Sequence, residues 1–367
     1  MITERELGEE SRPRSPRPPR RRMDRRGTEL AGLVALAGVL ELVAGTGLAY
    51  LAGFGAMWSV LKHPDLLWLA AMAGALCVSF AGYYWAYRGI YRAEGGYALA
   101  RRPLIAVVTA GYGGFFAHRG TTPDDLVLQQ AGAGSRESIV RAGTLGGLEQ
   151  AGLAVAGCVA SIAALCLGLT VPSMAATLPW AVIPVPAAVA AWWACERCGL
   201  CLRGRSGWRG RVCVLADSGR LAAQILARPV RYWTALAGML TFWAGEMFAV
   251  WAGLAVFGFR MNGAALVVGF ATGMVFTRRS APLAGAGILT VILALAIWYC
   301  GAPLAVAAAG IFAYRALTLW LPMPFALAAL PVLRQISKES LGTEEPMTAE
   351  PLCAPVGKLR VCDITLD

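Results

Sequence analysis

The chain has 367 residues, of which 57% are hydrophobic and 15% are charged. A soluble globular protein carries roughly 25% charged residues, so this composition and a mean hydropathy of +0.57 exclude a disordered chain and argue against a soluble enzyme. Several apolar runs reach the length of about 20 residues that a helix needs to cross a bilayer. The composition therefore predicts an all-α polytopic membrane protein.

Positive charge is concentrated in a few connecting segments. Lys and Arg number 33 against 22 Asp and Glu, for a net charge of +11. Basic loops of membrane proteins stay on the cytoplasmic side, and this explains the charge without a nucleic-acid partner. The Arg- and Pro-rich residues 1–27 are predicted to form a disordered cytoplasmic tail that sets topology or attracts anionic headgroups. Met23 offers a second start within this tail.

Eight apolar stretches follow the tail and predict about seven or eight membrane spans. They lie near residues 29–53, 65–87, 142–169, 178–195, 231–257, 283–300, 302–320 and 325–333. The LPMP sequence at 321–324 is expected to break the last helix, because proline cannot continue one. The main hydrophilic loop, 196–231, holds eight arginines and is predicted to be cytoplasmic. The polar residues 336–367 are predicted to be a disordered tail.

Two shorter apolar segments, 103–117 and 263–277, suggest an internal repeat. Fifteen residues reach only about 22 Å, less than the roughly 30 Å of the hydrocarbon core, so both are predicted to be re-entrant. GGFFAHR at 113–119 aligns with GMVFTRR at 273–279, and each is soon followed by a proline. Paired broken helices of opposite orientation are typical of transporters. The membrane domain, 28–335, is thus predicted to be an inverted repeat of 28–195 and 231–335.

Charged residues inside the apolar spans are the candidate functional residues. Glu149, Glu246, Arg315 and Glu41 interrupt such spans, and each costs about 2.5–3.5 kcal/mol at a helix centre. They are expected to face the bundle interior, either as ion pairs that lock helices together or as a polar path. Arg141 shares a helix face with Glu149. Glu41 lies one turn or more from a span end, so it is expected to be interfacial.

Aromatic residues near span ends are expected to form an interfacial belt. Tryptophan and tyrosine are enriched where a span meets the headgroups. The residues assigned to this belt are Tyr83, Tyr84, Trp85, Tyr87, Trp192, Trp193, Trp298, Tyr299 and Trp320.

A cysteine cluster follows the fourth span. Cys195, Cys198 and Cys201 form CxxCxxC, and Cys213 comes twelve residues later. Four thiolates can hold zinc or an iron–sulfur cluster, but cysteines at a membrane boundary are also commonly free or palmitoylated. We expect no metal and no other cofactor. Walker, GxSxG and HExxH signatures are missing from the sequence, so we expect no enzymatic activity.

Residues 30–335 resemble the flippase-like membrane domain of the lysylphosphatidylglycerol synthase family. The first matching stretch is TLGGLEQAGLA, where Glu149 matches the family's Glu and Gln150 replaces its Arg. In PLAGAG, 282–287, Ala284 replaces a family Gly, and Thr290 then stands where the family has Glu. The third stretch, AYRALTLWLP at 313–322, matches closely, whereas RGTTPDDL at 119–126 matches loosely.

The resemblance implies that the protein moves a phospholipid, such as an aminoacylated phosphatidylglycerol, between leaflets. Because the family's synthase chemistry belongs to a soluble domain, we expect none here. Arg315, Arg279 and Arg119 would attract phosphate, while Glu149 and Glu246 would balance those charges or bind an amine, and Arg141 lies on the same path. Two alternatives stay open: a proton-coupled transporter of a small polar solute, and a non-transporting subunit that anchors a partner protein through its basic loop.

The expected location is the cytoplasmic membrane of a bacterium, with the N-terminus on the cytoplasmic side. An Ala-, Gly- and Arg-rich composition of this kind is common in bacterial membrane proteins encoded by high-GC genomes. The expected partners are membrane lipids, because the chain is predicted to lie in the membrane and to move a phospholipid.

Overall fold

The structure is a computed structural model that describes residues 20–113, 123–168, 173–201, 208–275 and 285–329. These residues form helices and contain no β-strand. The helices are α1 Arg20–Ala52, α2 Phe54–Leu61, α3 Leu66–Arg92, α4 Arg101–Gly113, α5 Pro123–Gln130, α6 Ser135–Cys166, α7 Met174–Val182, α8 Pro184–Cys201, α9 Trp208–Ala227, α10 Trp233–Val256, α11 Gly263–Gly273, α12 Ile288–Tyr299 and α13 Leu304–Arg315. The prediction of an all-α polytopic membrane protein is confirmed at this level.

Six helical segments in the described part of the chain are long and apolar enough to cross a membrane. The sequence predicted seven or eight membrane spans, and this number includes two apolar stretches that do not form separate long helices among the described residues. Helix α12 has 12 residues and reaches only about 18 Å, too short for a span of its own. The last two predicted stretches join into one helical segment, Leu304–Ala329.

The break predicted at LPMP takes another form. After α13 the backbone widens into a π-helical segment, Ala316–Trp320, and a regular helix resumes at Pro322. Proline is tolerated in the first turn of a helix because its missing N–H would have no partner there. The π segment absorbs the irregularity, so the helix continues past the prolines.

Helix α9 occupies much of the basic segment predicted as a loop. It buries Cys213, Leu221 and Ile225 at helical spacing and packs on α6 and α8. The exposed positions of α9 include Arg211, Leu215 and Leu226, and the partly buried Asp217 forms an ion pair with Arg136 of α6. The arginine bias of this segment masks its amphipathic pattern, which is why the sequence reading missed the helix.

Helices α3 and α10 form the centre of the bundle and cross very closely. A Cβ at Gly82 would lie 2.5 Å from the backbone nitrogen of Phe242, and one at Gly89 would lie 2.5 Å from that of Ala235. Contact positions fall along α10 as they rise along α3, so the two helices run antiparallel. Small residues allow such backbone contact in membranes, and glycine here sets the distance between the two helices.

Both short segments contain a helix, yet the repeat remains a prediction. Helix α4 packs against α3 and α5, whereas α11 packs against α12 and α6. Most of the aligned sequence, together with Arg119, Arg279 and Pro282, lies outside the described residues.

Candidate functional site

One buried face of α3 carries four hydroxyl groups. Ser79, Tyr83, Tyr87 and Tyr91 follow each other at four-residue intervals, which places them on one side of a helix. All four are buried. The rings of Tyr83 and Tyr87 meet edge to face at 5.0 Å, and those of Tyr87 and Tyr91 at 5.3 Å. Helix α3 therefore presents a ladder of hydroxyl donors to its neighbours.

Glu246 of α10 lies in the middle of the bundle. Its side chain is inaccessible to solvent, and Ser79 Oγ donates a hydrogen bond of 2.8 Å to its Oε1. The Tyr314 hydroxyl of α13 donates to its Oε2. Each carboxylate oxygen thus has a hydroxyl donor from a different helix, which offsets part of the cost of removing the carboxylate from water.

Glu149 of α6 is bound one turn further along α3. The Tyr83 hydroxyl donates to Glu149 Oε1, and Tyr83 stacks on Phe242 with ring centroids 4.6 Å apart. Trp243 Nε1 donates to the backbone oxygen of Glu149 at 3.1 Å. Because α3, α6 and α10 all contribute, the position of this carboxylate depends on the packing of three helices.

A third buried carboxylate corrects the sequence reading of Glu41. Glu41 is 2% exposed, and Thr290 Oγ1 donates to both of its oxygens at 3.0 and 2.8 Å. Arg315 Nη2 lies 3.4 Å from Glu41 Oε1. Glu41 is therefore buried within the bundle and lies near the middle of the helical segment Gly32–Ala52, not near its end. Glu41 is buried because it lies on the side of α1 that faces α12 and α13.

Arg315 is 1% exposed and directly precedes the π-helical segment. A π-bulge shifts the helix register locally and is frequent at functional sites. In sequence Arg315 follows Tyr314, so adjacent side chains of α13 contact two different carboxylates, Glu246 on α10 and Glu41 on α1.

A fourth carboxylate terminates the tyrosine ladder. The Tyr91 hydroxyl donates to Asp124 Oδ1 at 2.9 Å, and Asp124 is 6% exposed. The loose RGTTPDDL match was the only sequence signal for this aspartate. Helix α5 has only eight residues. It is too short for the spacing of its apolar residues to indicate which side is buried.

Arg141 caps a helix. Its Nη1 donates to the backbone oxygens of Ile90, Tyr91 and Ala93 at 3.0–3.2 Å, and it forms an ion pair with Glu137. The last carbonyls of a helix lack intrahelical partners, so this guanidinium completes the C-terminus of α3. Arg141 and Glu149 both contact α3 from α6, as their shared face predicts, but they contact different parts of it: Glu149 binds Tyr83, and Arg141 binds the C-terminal end.

The predicted aromatic belt is wrong at Tyr83 and Tyr87. Both are buried against the interior, because their four-residue spacing aligns them with Ser79 and Tyr91. The tryptophans Trp85, Trp192, Trp193 and Trp298 are each about half exposed, and their place in a belt stays a prediction. In the described residues, clusters of three or more metal-binding side chains are absent; the side chains of Cys198 and Cys201 lie outside that part.

Charge is unbalanced in the described interior. Glu41, Glu149 and Glu246 are buried together with Arg315, whereas the other buried arginine, Arg141, pairs with Glu137 at the C-terminal end of α3. If all are ionised, the carboxylates outnumber the guanidinium by two. Such an interior favours a cationic group over an anion.

No family model, curated protein or solved structure matches the chain.

Proposed function

We propose that the protein translocates a phospholipid with an amine-bearing headgroup, such as an aminoacylated phosphatidylglycerol, between the leaflets of the membrane. The observation that carries the proposal is the interior excess of carboxylates: Glu41, Glu149 and Glu246 against Arg315. Ionisable groups inside a membrane are costly and mark paths for polar substrates. A surplus of carboxylates suits an amine, which would lose its hydration on the way across.

The resemblance to the flippase-like domain supports the same class of substrate. Two of its stretches contribute directly to the interior: Glu149 belongs to TLGGLEQAGLA, and Tyr314 with Arg315 belongs to AYRALTLWLP. Thr290, at the position where the family has Glu, contacts the carboxylate of Glu41. The Glu41 carboxylate of α1 thus lies beside Thr290, the position at which the family has a glutamate.

The test is leaflet exchange in proteoliposomes that contain the purified full chain. Phospholipids labelled on an acyl chain keep their native headgroups, and a quencher that cannot cross the bilayer reports how much label reaches the outer leaflet. Aminoacylated phosphatidylglycerol should exchange faster than phosphatidylglycerol, and protein-free vesicles should show neither. Equal rates for both lipids would remove the assigned role of the carboxylates, and no exchange of any lipid by folded protein would overturn the proposal.

Proton-coupled transport of a small polar solute is the second candidate. The observation that favours it is enclosure: Glu149 is 4% exposed, Glu246 is fully enclosed, and both accept hydrogen bonds from hydroxyl groups. Carboxyl groups enclosed within a membrane mark proton relays in pumps and transporters. This candidate predicts solute-dependent acidification of the vesicle lumen without lipid exchange. If folded protein shows neither activity, the non-transporting partner subunit is favoured.

A further inference from the structure

A cleft opens where the C-terminal end of α3 meets the N-terminal end of α10. Its volume is about 590 Å³, and its lining includes Arg88, Arg92, Arg231, Glu94 and two tryptophans, Trp85 and Trp233. The close contact of Gly89 with Ala235 brings the two helix ends together. The cleft is therefore built by the same antiparallel pair that forms the centre of the bundle.

The one carboxylate of the lining, Glu94, is already engaged. The Tyr232 hydroxyl donates to it, and Arg228 Nη1, outside the lining, lies 3.8 Å from its Oε1. Glu94 has a left-handed backbone with φ of 49°, which non-glycine residues rarely adopt. These contacts hold Glu94 at the α3–α10 junction, with Tyr232 and Arg228 as its partners.

The three lining arginines are left with positive charge. Arg88 and Arg92 are exposed and, among the described residues, have no hydrogen-bond or ion-pair partner. Arg231 lies with its guanidinium 5.5 Å from the Tyr232 ring centre, which leaves its N–H groups available. Guanidinium groups bind phosphate with two parallel hydrogen bonds.

The rim of the cleft is suited to lipid. Trp85 and Trp233 are 50% and 63% exposed, and tryptophan favours the level of the headgroups. The cleft also lies at the arginine-rich end of α3, which the charge bias predicts to be cytoplasmic. A ligand bound there would have its phosphate among arginines and its acyl chains beside indole rings.

We infer that this cleft binds the phosphodiester of an anionic phospholipid headgroup. The inference goes beyond the proposed function, because binding at the interface requires no movement across the bilayer. The ligand class follows from the arginines and the tryptophans together: arginines alone would suit free phosphate equally well.

The test is calorimetry on the purified full chain in detergent, with short-chain phosphatidylglycerol, short-chain phosphatidylcholine and inorganic phosphate as probes. Phosphatidylglycerol should bind roughly tenfold or more tightly than phosphatidylcholine, because its net charge is not cancelled by choline. Inorganic phosphate that binds as tightly as phosphatidylglycerol would overturn the lipid assignment. Absence of any preference for phosphatidylglycerol would overturn the site.

Variants locate the binding in the cleft. Arg88→Gln, Arg92→Gln and Arg231→Gln together should abolish the preference for phosphatidylglycerol. The matched control, Arg101→Gln, Arg102→Gln and Arg260→Gln, removes the same charge from exposed positions outside the lining and should retain it. Equal losses in both triple variants would indicate nonspecific attraction and contradict the site. Arg92→Gln alone provides a milder test, with a smaller loss in the same direction.

Leaflet exchange measured on the same variants separates this inference from the proposed function. Binding that disappears in the cleft variant while exchange continues supports the site and keeps it off the translocation path. A wild type that binds phosphatidylglycerol but exchanges no lipid would overturn the proposed function and leave the site in place.

Discussion

Glu149 and Glu246 belong to different helices, yet one face of α3 supplies a hydroxyl donor to each. Ser79 donates to Glu246 and Tyr83 to Glu149, and four residues of helix separate these donors by only about 6 Å along the axis. The two carboxylates are therefore coupled through the position of α3. A movement of α3 relative to α6 or α10 would change the hydrogen bonding and hydration of both.

The first prediction concerns the donor that α13 gives to Glu246. Tyr314→Phe removes the hydroxyl and leaves one oxygen of a buried carboxylate without this bond, at a cost of about 1–3 kcal/mol. The unfolding temperature in detergent should fall. Tyr299→Phe is the matched control, because Tyr299 is half exposed, and it should leave the unfolding temperature unchanged. Equal effects of the two substitutions would show that the Tyr314 hydroxyl contributes nothing to stability.

The second prediction tests the close crossing of α3 and α10. Gly82→Ala places a methyl group 2.5 Å from the Phe242 nitrogen and should destabilise the fold by about 1–3 kcal/mol, the usual range for overpacking. Gly74→Ala on the same helix meets nothing within 4 Å. It should be neutral or stabilising by up to about 1 kcal/mol, because alanine favours a helix. Thermal unfolding of the two variants gives the comparison, and similar values for both would contradict the crossing.

The third prediction concerns Arg315, the buried cation that faces Glu41. Glu41→Gln removes the charge that faces Arg315, and breaking a buried ion pair costs about 3–5 kcal/mol. Glu137→Gln affects a partly exposed pair with Arg141, for which a smaller loss is expected. The expected order in the unfolding temperature is wild type, then Glu137→Gln, then Glu41→Gln. The reverse order of the two variants would argue against the Glu41–Arg315 contact.

The fourth prediction is a pH dependence at the rim of the cleft. Burial, followed by the hydrogen bond to the Glu94 carboxylate, raises the pKa of the Tyr232 phenol above its ordinary value. Because the folded state favours the neutral phenol, Tyr232 contributes stability below about pH 10 that is lost as the pH rises through the folded pKa. Ultraviolet absorbance of tyrosinate, compared between wild type and Tyr232→Phe, isolates this titration. A phenol that titrates at or below the ordinary value would contradict the contact.

The sequence predicted the long helices well because hydrophobic length is a strong local signal. It also marked Glu149, Glu246 and Arg315, since a charge within an apolar run is conspicuous. It did not predict their partners. Tyr83 and Ser79 are ordinary residues of a span until the α3–α10 and α3–α6 contacts are known.

Other parts of the fold depend on tertiary context as well. The burial of Glu41 depends on which side of α1 faces α12, and the continuation past Pro322 depends on a π-helical segment that has no sequence signature. The cleft combines the ends of two helices far apart in sequence, and only packing brings Arg92 near Arg231.

The most direct measurement is lipid exchange in proteoliposomes with wild type, Glu149→Gln and Gln150→Ala. Gln150 is the exposed neighbour of Glu149. Gln150→Ala is therefore the control, because it changes α6 beside Glu149 and leaves the interior as it is. With all three proteins folded, Glu149→Gln should slow exchange of aminoacylated phosphatidylglycerol by roughly tenfold or more, equivalent to a barrier change of about 1.4 kcal/mol, while Gln150→Ala should match wild type. Unchanged exchange in Glu149→Gln would contradict a path along the buried carboxylates.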